Sequence, residues 1–153
     1  MGGVPGRVGS RRFLGRAEPS RELLSSSLLP ITGRHVEASP DATYVGTEKV
    51  EVRTLDSYAF DGRIYLKIDA QGFETPILEG ARETLDRAVV GLELELSTTR
   101  LYEGQALIGD VLNDLRVRGF SVLSLAPCFV HPETREILQL DGIFTKNSAN
   151  GGS

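Results

Sequence analysis

Sulfur and histidine are scarce in this chain of 153 residues, which holds one cysteine, one methionine and two histidines. A single cysteine, Cys128, excludes an internal disulfide framework and fits a reducing compartment. Cys128, His35 and His131 are distant in sequence and lack zinc-ligand spacing, so no metal site is expected from them. No apolar stretch approaches the ~20 residues that cross a bilayer. The opening MGGVPGRVGSRRFLGRAEPS carries arginines but no apolar core of a signal peptide. These absences point to a cytoplasmic protein without a membrane partner.

What is present is ordinary for a globular chain. Hydrophobic residues make up 40% and charged residues 25%, enough for one domain with a real core. The net charge of −4 is unevenly spread. Residues 1–37 hold six arginines (Arg7, Arg11, Arg12, Arg16, Arg21, Arg34) against Glu18, Glu22 and Glu37, a balance of +3, so the remainder carries −7. A basic arm can touch nucleic acid. These arginines, however, have no interleaved aromatics and no recognisable nucleic-acid motif, so residues 1–20 read as a solvated, flexible leader and no nucleic-acid partner is expected.

Along the chain, RRFL is a short strand candidate, and Ser27 to Ile31 has some helical character. KVEVRTL, Lys49 to Leu55, alternates apolar and charged residues as a half-exposed strand does. IYLKID then reads as a strand. TPILEGARETLDRA spaces Ile77, Leu78, Ala81 and Leu85 as a helix face, with Thr75 as N-cap and Pro76 at the first helical position. AVVGLELEL is a second strand. GQALIGDVLNDLRVRG aligns Leu107, Ile108, Val111, Leu112 and Leu115 and stops at Gly119. FSVLSL is a third strand, and CFVHPETREILQLDGIFT reads as two strands about a polar turn in which His131 is exposed. KNSANGGS, 147–153 with the preceding Lys146, reads as a disordered tail.

Strand, helix, strand, helix, strand predicts right-handed crossovers on a mostly parallel sheet, with an antiparallel C-terminal hairpin at or near one edge. Ligands of such sheets bind beyond the carboxyl ends of the strands. Asp69 closes the first crossover strand there, and Glu95 with Ser97 closes the second. The same residue types also cap helices and complement their dipoles, so spacing alone leaves both readings open. Asp56 reads as a helix N-cap.

The run LKIDAQGFE, Leu66 to Glu74, resembles the FkbM family of S-adenosylmethionine-dependent methyltransferases. VRTLDSY and SSSLLP upstream, and LELELSTTRLYEGQ and FVHPETREILQLDGIF downstream, extend the resemblance over roughly residues 20–145. It implies a Rossmann-like methyltransferase fold and methyl transfer to a hydroxyl of a sugar or natural-product scaffold. Asp69 is then the expected catalytic acid, with Glu95 as a second; Asp69 and Gln71 are expected against the cofactor, and Tyr102 and Ser26 against the acceptor. Gln71 stands where many relatives carry glutamate, which removes a charge and argues against a two-carboxylate metal site. Glu74 suits the helix dipole. The glycine-rich turn that grips the donor is not recognisable: no apolar strand precedes GGVPGRVGS. The expectation is therefore a truncated Rossmann-like fold, a partial domain over residues 21–146, that binds the donor poorly by itself. The alternative is a non-catalytic module completed by a second copy or another chain.

Overall fold

The computed structural model describes residues 7–15 and 23–147. Most of the expected leader and of the expected tail lies outside the described residues. Two sheets are present. The first has three antiparallel strands in the order β2-β1-β3, with β1 at Arg7–Gly15, β2 at Leu23–Ser27 and β3 at Thr43–Val52. Part of the segment read as a leader therefore forms β1, and the RRFL strand candidate lies inside it. The second sheet has four strands in the order β4-β5-β7-β6. These are β4 (Ile64–Ile68), β5 (Val89–Ser97), β6 (Phe120–Val130) and β7 (Ile137–Lys146).

The four-stranded sheet corrects the expectation of a mostly parallel one. β4 and β5 pair in parallel, but β7 pairs antiparallel with both β5 and β6. The last strand is inserted between β5 and β6 rather than lying at the border. β5 and β6 thus run the same way without touching, and a single parallel ladder remains. FSVLSL and CFV, read as separate strands, form one β6 whose register against β7 shifts at Val122/Ser124, Pro127/Phe129 and Phe129/Val130. Pro127, which cannot donate to a ladder, fits this outer, irregular strand.

Helices cover one face. The leucines of LELEL alternate inward, so Leu92, Leu94 and Leu96 are buried with Ile68 and Phe144 against Leu78, Leu85, Val111 and Leu115. Leu115 and Val111 belong to α4 (Ile108–Val117), which ends at Gly119 with φ +80°, the left-handed conformation that stops a helix. A second cluster joins Leu101, Tyr102 and Leu138 with Ala38 of α1 (Gly33–Ala38), a helix the sequence did not announce.

The helix expected over 75–88 is two helices, α2 (Glu74–Glu79) and α3 (Arg82–Arg87). Gly80 lies at the break, its carbonyl accepting the Asp56 N–H at 3.0 Å. The Asp56 carboxylate accepts the backbone N–H groups of Glu83 (3.1 Å) and Thr84 (2.9 Å) and the Thr84 hydroxyl (2.7 Å). Asp56 is a cap, as its residue type suggested, but it caps α3 from a distant part of the chain. Thr75 is not the N-cap of α2; that position is Phe73, and Pro76 stands at the third helical position.

Candidate active site

β4 and β5 deliver their side chains by register. Lys67 stands opposite Glu93 and the two form an ion pair at 2.5 Å. Two residues further along, at the carboxyl ends, Asp69 and Glu95 come level, and Glu95 is directly opposite Asp141 on β7. Alternation sends this row to the face away from the helices. That answers why β5 tolerates two glutamates: their face is not the one sealed by α2, α3 and α4. Glu95 is half-buried among like charges. Burial first, then Asp69, Glu74 and Asp141, push its carboxyl up to about 7. It accepts from Gln139 Nε2 at 3.2 Å, and the Cys128 thiol lies 4.0 Å from its Oε1.

Asp69 is exposed and lines a cleft of about 560 Å³ between the three-stranded sheet and the start of α2. Ser26, Arg53, Tyr58 and Phe73 line it too, so Ser26 and Asp69 share one cavity.

The loop after Asp69 is tightly held. Glu74 is 4% exposed and its Oε1 accepts the N–H groups of Ala70 and Gly72, each at 3.2 Å. Its carboxyl is raised, mainly by burial. Glu74 is thus a clip for the loop rather than a free acid in the helix's first turn. Gln71 adopts φ +49° and Gly72 φ +95°. A Cβ on Gly72 would stand 2.7 Å from Cβ and Cγ of Tyr102, so glycine is required both by conformation and by the approach of that side chain.

Tyr102 is fully buried, against the expectation that it faces the acceptor. Its hydroxyl donates to Gln71 Oε1, and Gln71 Nε2 donates to Asp69 Oδ1 at 3.0 Å. The Ser27 hydroxyl donates to the Gln71 carbonyl at 2.8 Å. Sequence reasoning missed Gln105, which is buried and accepts the N–H groups of Leu101 (3.0 Å) and Tyr102 (3.3 Å) while donating to the Ser97 hydroxyl (2.7 Å). The signal available was a glutamine in the apolar-flanked EGQAL turn.

The remaining candidates are structural. His131 is buried, not exposed: its Nδ1 accepts from the N–H groups of Glu133 (3.2 Å) and Thr134 (3.3 Å) and shapes the β6–β7 turn. His35 meets Tyr102 edge-on at 5.2 Å between ring centroids. Neither histidine stands with Cys128. Ligand atoms of Glu95, Cys128 and Asp141 lie within 4.8 Å of one another. Burial, Glu95 and Asp141 push the Cys128 thiol up to about 12, so without a bound cation it stays protonated at neutral pH.

The chain matches the Methyltransferase FkbM domain over residues 6–122. It belongs to the FkbM methyltransferase family. No curated protein and no solved structure matches it. Membership makes methyl transfer in general the chemistry to weigh against this geometry. The family suggests a sulfonium-type methyl donor in general. Among the described residues, no glycine-rich turn follows a strand beside β4. No described helix is long and apolar enough to cross a membrane.

Proposed function

We propose that this FkbM-family chain carries the acceptor-facing part of an S-adenosylmethionine-dependent methyltransferase, with a small-molecule hydroxyl, such as that of a sugar or natural product, as acceptor. The observation that carries this reading is Asp69: it is exposed, directly follows β4, and shares a cleft with Ser26. S-adenosylmethionine supplies a methyl group on a sulfonium cation.

The residues of this chain do the rest. Asp69, which lines the cleft, would take the proton from the acceptor hydroxyl as that oxygen bonds to the methyl carbon and the carbon–sulfur bond breaks, its electron pair leaving with sulfur. Ser26 and Gln71 orient the two ligands at the mouth of β4, which lowers the entropic barrier to an in-line approach. Asp69, Glu95 and Asp141 give the carboxyl edge of the sheet a negative potential that favours a cation over a neutral ligand. Glu95, raised to about 7, holds a proton part of the time at neutral pH, which limits the repulsion within the row.

Transfer of labelled methyl from S-adenosylmethionine to a panel of sugar and natural-product hydroxyls tests this. Asp69→Asn is expected to cut turnover by about a hundredfold or more. Undiminished transfer by that variant would overturn the assignment of Asp69.

A second reading, a module completed by another chain or a second copy, is favoured by one observation. β4 ends the order β4-β5-β7-β6, so its outer backbone groups have no ladder partner in that sheet among the described residues.

A further inference from the structure

We infer that Tyr102 is a positioning residue: through Gln71, it sets the direction in which the Asp69 carboxylate is held. The inference rests on the reading of Asp69 given above, but its geometry does not.

A glutamine side chain has one carbonyl oxygen and one amino group, and its two ends are interchangeable unless something distinguishes them. Here the Tyr102 hydroxyl donates to Oε1, and Nε2 faces Asp69, where it donates to Oδ1 at 3.0 Å. The reverse orientation would set Oε1 against a carboxylate oxygen, two acceptors facing each other. The carboxylate, which only accepts, thus fixes which end of Gln71 faces it, and the Tyr102 hydroxyl, which can donate or accept, donates to the other end and anchors the side chain in that position. It can do so over the whole physiological range, because burial and the surrounding acids raise its hydroxyl and keep it a donor.

Two independent features show that this arrangement is over-determined. Gln71 is a non-glycine residue in the left-handed region, a strained conformation that persists where the surroundings enforce it. The surroundings do enforce it: Ser27 holds its carbonyl, Tyr102 its side-chain oxygen, and the Tyr102 side chain packs where a Cβ of the next residue would sit. Tyr102 is itself seated by Gln105, which grips two consecutive N–H groups of its loop and is bonded in turn to Ser97 at the end of β5. A hydrogen-bonded path thus runs from the carboxyl end of β5 to the carboxyl end of β4. The second strand aims the acid on the first.

The test needs no acceptor. In the full chain, the side-chain NH2 signals of Gln71 in ¹⁵N-labelled protein report both of its partners. Tyr102→Phe keeps the ring over Gly72 and removes only the hydroxyl. The Gln71 pair is expected to be displaced from random-coil positions in the parent, and to collapse towards them in Tyr102→Phe, with backbone signals of β4 and β5 unchanged. Asp69→Asn is expected to move the same pair, because the charged acceptor is lost. A Gln71 pair that stays put in either variant overturns the inference; a ring-packing role alone would leave Tyr102→Phe silent. In the labelled-methyl assay Tyr102→Phe is expected to lower kcat about tenfold with KM unchanged. If transfer instead survives Asp69→Asn, the catalytic reading fails while the NMR result stands, so the two failures are told apart.

Discussion

Glu95 shows how one residue's environment becomes a measurable property of the molecule. Its folded carboxyl titrates at about 7, against 4.5 for an ordinary glutamate, so the folded state holds a proton that the unfolded chain has released between those values. A group raised in this way destabilises the fold as pH climbs through that window, and the loss is complete above it. Glu95→Gln removes the titration and keeps an acceptor for Gln139. It is expected to match the parent near pH 4 and to exceed it by about 1–2 kcal/mol at pH 8, the full shift being trimmed by solvent screening of a half-buried group. Urea unfolding at the two pH values checks this; an equal difference at both would show that Glu95 is not held in its proton-retaining form. His35 works in the opposite direction, since burial lowers it and the fold loses stability as pH falls below about 6.5.

At this scale the sequence was legible for residue type and silent about partners. Asp69 and Glu95 stood out because acids closing apolar strands are conspicuous, and register then brought them level. Tyr102 was misread because YEGQ looks like a surface loop; its burial is decided by Gly72 and Gln105, neither of which is adjacent in a way that periodicity reports. Nothing in the sequence placed Asp141 beside Glu95, since that pairing is set by an antiparallel register between segments more than forty residues apart.

Among the elements, the break between α2 and α3 is the most instructive. The apolar spacing of Ile77, Leu78, Ala81 and Leu85 is continuous, and no proline interrupts it after the first turn, so one helix was the natural expectation. The break is imposed from outside, by Asp56, whose N–H takes the Gly80 carbonyl and whose carboxylate takes the first free N–H groups of α3. Tertiary capping outweighed local periodicity. Asp56→Ala is expected to cost about 1–2 kcal/mol, because it strips α3 of its cap and leaves Thr84, which is buried, without its hydroxyl partner. Asp56→Asn, which keeps one acceptor, is expected to recover part of that. A thermal melt reads both, and a change below about 0.3 kcal/mol for the alanine variant would rule the cap out as a source of stability.

For the molecule as a whole, the open question is what lies against β4. Strand identities were readable from composition, as in LELEL and IYLKI, but strand order was not, because order depends on pairings between segments that share no local pattern. Among the described residues, the outer edge of β4 is unpaired in its sheet, and Tyr65 and Lys67 are exposed on the sheet face, where both reach across to Glu93 of β5. Such edges associate unless charge or a bulge discourages it, and Lys67 is one such charge, partly neutralised by Glu93. If this edge is where a second strand docks, size-exclusion chromatography with light scattering is expected to show mass rising with concentration, and Tyr65→Lys is expected to shift the distribution to monomer. A monomer at all micromolar concentrations in the parent would count against the second reading and leave the enzymatic one.

The place of β7 has a consequence for how this protein comes to exist in a cell. β7, which follows β5 and β6 in the chain, is not trim at the border but an interior plank, flanked by β5 on one side and β6 on the other. Until it emerges, β5 and β6 have nothing to hold them side by side, and Phe144, a buried member of the main core, is missing from the space beside Leu92. The growing chain must therefore wait, with the leucines of LELEL only half sheltered, for β7 to thread between β5 and β6. The core closes only once that later strand has arrived.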